Sequence, residues 1–241
     1  ERRRVAEYSV TTAGASLDFG IGFGEWGEFR TGLARARIHT AVITGSADLP
    51  SGRVDYGALR TRMAILRIDN PSIPHDGGSL SFMFDLPRRS LGGDADYRKL
   101  LIGASAFTTV KSRLTFYAGA EGGSNLGSDM ALYDQFAIGG LLSMGGFAPG
   151  QLNGDRYAVV HTGIYYRVRD LSPDLGEGVY IGAFSDAGNA WPAGVPATIR
   201  SAHRSVTLAV GAQTIAGPIM FAHGRAETGD HRFYFTIGKS F

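Results

Sequence analysis

The chain has 241 residues, no cysteine and a formal net charge of +2. That excludes a disulfide framework, a thiolate metal site and a cysteine nucleophile, and leaves too little positive charge to argue for nucleic acid. Glycine, at 35 residues, is about twice its usual ~7% share, charged residues are 19% against a usual ~25%, and no apolar run approaches the ~18 residues of a spanning helix.

Alternation of apolar and polar residues with period two, the signature of strands with one greasy and one wet face, recurs along the chain. Ala15, Leu17, Phe19, Ile21 and Phe23 oppose Ser16 and Asp18; Ala34, Ala36, Ile38 and Val42 oppose Arg35, Arg37 and His39; Leu59, Met63 and Ile65 oppose Arg60 and Arg62. Leu80, Phe82, Phe84 and Leu86 oppose Ser79, Ser81 and Asp85; Leu100, Ile102 and Ala104 oppose Lys99 and Ser105; Leu114 and Phe116 oppose Arg113, Thr115, Tyr117 and Glu121; Val160, Ile164, Tyr166 and Val168 oppose His161 and Arg167. The pattern predicts strands over 3–12, 15–24, 28–43, 53–69, 78–87, 98–110, 113–122, 134–140, 156–169, 178–186, 203–214, 217–226 and 231–241, twelve or thirteen in all. Their length, about ten residues, is that of a tilted strand crossing a bilayer. Short links such as Val110–Arg113 and Ala216–Pro218 alternate with long ones (70–77, 122–133, 141–156, 187–202), the connection rule of membrane barrels. The last strand turns Phe233, Phe235, Ile237 and Phe241 to one face and Arg232, Tyr234, Thr236 and Ser240 to the other. An apolar aromatic ending suits lipid better than water. The cations are nearly all arginine, with lysine only at 99, 111 and 239, as fixed pairs with carboxylates in a confined lumen would use.

Between two of these strands runs Phe136-Ala137-Ile138-Gly139-Gly140-Leu141-Leu142-Ser143-Met144-Gly145-Gly146-Phe147-Ala148-Pro149-Gly150-Gln151-Leu152-Asn153-Gly154-Asp155, followed by five strands. One of those carries Phe184-Ser185-Asp186-Ala187-Gly188, the next to last begins Gly217-Pro218, and the last ends Phe235-Thr236-Ile237-Gly238-Lys239-Ser240-Phe241. This order resembles the C-terminal barrel of the BamA/TamA-like superfamily of outer-membrane assembly and secretion proteins (bacterial surface antigens). The resemblance implies a sixteen-stranded barrel with a long loop, after the eleventh strand, that folds into the lumen. That loop would be formed here by Met144, Gly145, Gly146, Phe147, Gly150, Gly154 and Asp155, and held by Asp186 and Gly188. It implies an assembly signal in Phe233, Phe235, Ile237, Gly238 and Phe241. One departure stands out: Gly145 occupies the place of the loop arginine that pairs with the aspartate in the superfamily. Asp186 then needs another cation, Arg156 or Arg167, or the loop sits less firmly. This gap and the run Gly146-Phe147-Ala148-Pro149-Gly150-Gln151-Leu152-Asn153-Gly154-Asp155 resemble the patatin-type self-secreting branch.

Enzyme signatures are missing. Gly103-Ala104-Ser105-Ala106-Phe107 and Gly122-Gly123-Ser124-Asn125-Leu126 fail the Gly-x-Ser-x-Gly elbow. The six histidines show no HExxH and no ligand pair, so His39 and His161 read as hydrogen-bonding lumen residues. No phosphate-binding loop or dinucleotide fingerprint appears.

The expected fold is therefore an all-β transmembrane antiparallel barrel over residues 1–241, lacking its first strands (the chain starting near the fourth or fifth of sixteen) and any periplasmic domains. The expected function, following the resemblance, is polypeptide secretion or assembly, or membrane anchoring of an attached domain, in a Gram-negative outer membrane. The expected partners are the lipid bilayer, the barrel-assembly machinery and a client polypeptide or attached N-terminal domain, with no nucleic acid, metal or cofactor and no catalysis. Two alternatives accompany it. One is a passive pore or autotransporter translocator, in which Arg35, Arg37, Arg60 and Arg62 would favour anions. The other is an outer-membrane phospholipase using His203 and Ser205 on the outer wall.

Overall fold

The computed structural model describes residues 7–44 and 51–238. Thirteen strands occur among them: β1 (Glu7–Gly22), β2 (Gly27–Thr44), β3 (Gly52–Ile68), β4 (Gly77–Pro87), β5 (Lys99–Val110), β6 (Leu114–Ser124), β7 (Phe136–Ile138), β8 (Leu152–Gly154), β9 (Arg156–Asp170), β10 (Gly176–Trp191), β11 (His203–Thr214), β12 (Gly217–Ala226) and β13 (His231–Ile237). Eleven form one sheet in the order β1-β2-β3-β4-β5-β6-β9-β10-β11-β12-β13, and β7 pairs with β8 in a separate two-stranded piece. Every wall strand thus lies beside its neighbours in sequence once the β7–β8 insertion is set aside, the meander order of a barrel.

Three expectations about strands are corrected. The runs 3–12 and 15–24 are one strand, β1, paired continuously with β2 from Tyr8↔Val42 to Gly22↔Glu28; Gly14 opposes Ala36 without a turn, so a glycine there is not punctuation. The run 134–140 is not a wall strand, because only Phe136–Ile138 is extended and it pairs with Leu152–Gly154. Among the described residues six wall strands precede the loop, so on the sixteen-strand scheme β1 takes the sixth place and not the fourth or fifth. Residues 3–6, Lys239, Ser240 and Phe241 lie outside the described residues.

Contacts divide the chain into two units. In the first, Ala34 and Ile38 of β2 pack with Tyr56 and Ala58 of β3 and with Tyr97. This reverses the expected polarity of β2, since the packed face is the apolar one and Arg35, Arg37 and His39 are exposed. Those cations continue the face on which Leu17 opposes Leu33. The reason is length. At ~3.3 Å per residue a strand of 18 residues is about 60 Å long, more than a bilayer crossing requires, so one face passes from apolar residues to charges along the same strand. Arg60, by contrast, is on the packed side, bonded to the buried Asp85 at 3.0 Å. Arg35 and Arg37 therefore do not share a face with Arg60, and the arginine cluster that would have favoured an anion pore does not exist. Arg37 pairs with Asp55 at 3.5 Å and Arg35 donates to the Leu91 carbonyl.

In the second unit the alternation is as expected. Val160, Ile164, Tyr166 and Val168 of β9, Ile181 of β10, Val206, Leu208 and Val210 of β11, Phe221 of β12 and Phe233, Phe235 and Ile237 of β13 are all exposed. Phe233 reaches 78%, which in water would be an aggregation hazard and in hydrocarbon is the low-energy arrangement. The opposite face carries buried Tyr157, Val159, His161 and Tyr165, then Tyr180 and Asp186, Ser205 and Thr207, and Met220 and Ala222. The β5–β6 link is as tight as expected: Lys111 and Ser112 both take positive φ (52° and 59°), the primed-turn backbone that matches strand twist.

Candidate functional site: a glycine-rich loop docked on one face of the sheet

The segment between β7 and β8 is a compact turn system. The Gly140 amide donates to the Phe147 carbonyl at 3.0 Å, that of Ser143 to Gly140 at 3.1 Å, and that of Phe147 to Met144 at 2.9 Å. The Ala148 amide donates to Oε1 of Gln151 at 2.7 Å, and Gly150 turns the chain at φ 69°. Met144 and Phe147 are fully buried, so this is no surface loop. At its base the Asp155 amide donates to the Trp191 carbonyl at 3.0 Å, and Gly154 lies flat on the Trp191 backbone.

The docking contact explains the paired glycines. A Cβ at Gly145 would sit 2.1 Å from Oγ1 of Thr207 on β11, and one at Gly146 2.2 Å from the backbone nitrogen of Ala226 on β12. Reciprocally, a Cβ at Gly224 would sit 2.1 Å from the Gly145 carbonyl oxygen. At Gly146 and Gly224 the obstacle is backbone, so loop and wall can touch there only because those positions lack side chains, whereas at Gly145 it is the rotatable Thr207 hydroxyl. Tyr234 of β13 reaches across and donates its hydroxyl to the Gly145 carbonyl at 2.8 Å, with the Phe147 carbonyl at 3.3 Å, while the Phe147 ring packs on His203 at 5.5 Å between centroids. The Tyr234→Phe variant should lose that clamp at a cost of about 1 kcal/mol, read as faster amide exchange at Gly145 to Phe147 with the wall strands unchanged.

Asp186 does not pair with an arginine. Its Oδ1 lies 2.9 Å from Nδ1 of His161 and its Oδ2 accepts the Ser205 hydroxyl at 2.9 Å. These are its direct cross-strand neighbours, Asp186↔His161 and Asp186↔Ser205. On the far side of the imidazole, Nε2 is 3.9 Å from Oε1 of Glu121 on β6, which accepts from the loop's Ser143 at 3.4 Å. A polar strip thus crosses four neighbouring strands and ends on the loop. The two arginines expected to serve are committed elsewhere: Arg156 to the Val195 carbonyl at 2.7 Å, Arg167 to the Ser112 carbonyl at 3.2 Å and Asp170 at 3.6 Å. The closest approach at Gly188 is to Ala158 and Val159 of β9.

The His203–Ser205 pair expected of a phospholipase is not joined here. The Ser205 hydroxyl is given to the carboxylate rather than to the imidazole, and His203, the other half of the expected phospholipase pair, is 3.0 Å from Glu227. Ser205 is also buried on the packed face, not on the exposed wall. Among the described residues no three His, Asp or Glu side chains converge as metal ligands. Beside the strip is a cavity of about 280 Å³ bounded by Phe107, Tyr117, Leu141, Leu142, Phe184 and Met220.

Sequence reasoning named Asp186 and the loop but missed His161, Glu121, Ser205, Thr207 and Tyr234 as their partners. Register sets His161 and Ser205 opposite Asp186, but irregularities near Gly176–Gly178 and Val179–Tyr180 keep that register from being counted off the sequence.

Comparison with known proteins bears on the whole chain. The family described as the Omp85 superfamily domain matches residues 1–241. Among solved structures the chain is similar to BamA from Haemophilus ducreyi lacking POTRA domains 1-3 (TM-score 0.78, 17% identity, 97% of this chain and 55% of that one). It is also similar to CdiB from Escherichia coli (TM-score 0.67, 16% identity, 95% of this chain and 45% of that one). The chain spans about half the length of these structures. No curated protein sequence matches it.

Proposed function

The chain belongs to the Omp85 superfamily, and from that premise we propose that it forms the wall and inward loop of an outer-membrane barrel that assembles or secretes polypeptide in a Gram-negative bacterium. The observation that carries this reading is the side-chain-free contact of Gly145 and Gly146 with β11 and β12. A segment fitted so closely to the wall narrows the lumen, which favours this reading over an open pore. The exposed faces of β9–β13 meet lipid, and Phe233, Phe235, Ile237 and Gly238 form part of the signal read by the assembly machinery. The client, or an attached N-terminal domain, is the polypeptide handled. The barrel works by binding and positioning, with no covalent step: the loop is held by Tyr234 and the glycine contact, and Glu121 joins it to the His161–Asp186 strip. Gly145 in place of the loop arginine favours the patatin-type branch, where the barrel anchors a secreted domain; a serine-hydrolase elbow upstream in the full-length protein is the observation that checks it.

The test is conductance. Full-length protein in a planar bilayer, with residues 141–150 replaced by a short Gly-Ser link that leaves β7 and β8 intact, should conduct several-fold more than the wild type. Equal conductance from both proteins would overturn the inward-loop reading.

A further inference from the structure

We infer that the exposed face of β11–β13 holds the phosphate of an anionic membrane lipid at the upper end of its apolar band. The inference rests on the reading that this face meets a bilayer. Register orders the face in rows. Val210, Phe221 and Phe235 form one row, Leu208, His223 and Phe233 the next, and Val206, Arg225 and His231 the next. Arg204 stands one further step along β11, its carbonyl accepting from the Glu227 amide at 3.0 Å. The face thus passes from an apolar row, through one that includes His223, to one that carries Arg225. The nine residue steps from Ile215 back to Val206 cover about 30 Å of strand, or some 20–25 Å of height at the usual tilt, the thickness of a barrel's apolar band. Arg204, Arg225 and His231 therefore sit at headgroup level.

Two features mark this group as a site and not a solvated rim. First, Arg225 and His231 are directly opposite each other, and Arg204 is the diagonal neighbour of Arg225. The two guanidinium groups, diagonal to each other, repel unless an anion joins them, and the imidazole opposite offers a further polar contact. Second, none of the three has a carboxylate partner among the described residues. The acids of the adjoining turn are used elsewhere: Glu227 on His203 at 3.0 Å, Asp230 on Thr228 at 3.0 Å and on Gln151 at 3.5 Å. Arg113 and Arg156 of this unit are committed, to Asp170 at 2.9 Å and to the Val195 carbonyl at 2.7 Å. A guanidinium pair matches phosphate oxygens in geometry as well as charge. Directly below, the His223 and Phe233 rings stack at 4.5 Å between centroids, with His231 edge-on to both. That aromatic floor suits the glycerol or sugar part of a headgroup, with the apolar rows beneath for its chains.

The experiment uses the full-length protein in phosphatidylcholine vesicles carrying either spin-labelled phosphatidylglycerol or spin-labelled phosphatidylcholine, and compares the motionally restricted fraction of each. The wild type should prefer the anionic lipid, with each arginine contributing about fivefold. The Arg204→Gln/Arg225→Gln double variant should lose the preference, Arg204→Lys/Arg225→Lys should keep part of it, and Arg232→Gln, on the opposite face, should keep all of it. Heat-shifted mobility on gels confirms that each variant is folded. Equal preference in the wild type and the double glutamine variant overturns the site. Displacement of the restricted phosphatidylglycerol by inorganic phosphate assigns the site to free phosphate and overturns the lipid. If neither lipid shows a restricted fraction, the membrane-wall reading falls; if both do without preference, only the phosphate site falls.

Discussion

Replacing Gly146 by alanine is expected to lift the loop from the sheet. The new Cβ would lie 2.2 Å from the Ala226 nitrogen and 2.4 Å from the Arg225 carbonyl carbon. Both are backbone atoms of a paired strand, so no rotamer change relieves the clash, and overpacking of this kind costs about 2–3 kcal/mol. That exceeds the ~1 kcal/mol of the Tyr234 clamp and offsets part of the burial of Met144 and Phe147, so the loop should open more often while the wall persists. Chymotrypsin should then cut at Phe147, which is fully buried in the wild type, and conductance should rise toward that of the loop-shortened variant. Gly145→Ala meets a different obstacle, the side chain of Thr207. Thr207→Gly should therefore rescue Gly145→Ala and leave Gly146→Ala unrescued. A protected Phe147 in Gly146→Ala would show that the loop is held by something other than this close approach.

The wall was legible in the sequence because strand periodicity is local. The runs 203–214 and 217–226 match β11 and β12 at both ends, since a tight link and alternation fix them together. Periodicity says that two faces differ but not which one packs, and β2 shows the consequence: Ala34 and Ile38 pack while Arg35 and Arg37 are exposed. The short β7 was read as a wall strand because Phe136-Ala137-Ile138 alternates like one, and only its pairing with β8 shows otherwise. At the loop, the sequence displayed the missing arginine but not its replacement. Charge alone points to other arginines, whereas the partner is a histidine selected by register. Thr207 and Tyr234 were invisible for another reason: they act on the loop's backbone, and a contact made by a glycine's absent side chain leaves no mark on the residue it faces.

Truncating Asp186 should be the most damaging change to the wall itself. Asp186→Ala leaves the buried Ser205 hydroxyl without its acceptor and removes the carboxylate nearest His161. Breaking a buried hydrogen-bonded pair by deleting one partner costs about 3–5 kcal/mol. Asp186→Asn keeps an acceptor for Ser205 in the same volume and should cost about 1–2 kcal/mol, near that of a single buried hydrogen bond. The decisive comparison is the cycle with His161→Ala. If Asp186 and His161 act as one unit, the double variant should be markedly more stable than the sum of the single losses, with a coupling of about 1–3 kcal/mol. The corresponding cycles with Arg156→Gln and Arg167→Gln should show none, because neither arginine approaches the carboxylate. Unfolding in denaturant from lipid vesicles measures all of these. Additive losses for Asp186 and His161, or coupling to either arginine, would return the strip to a chance alignment of polar residues and restore the arginine as the partner this aspartate needs.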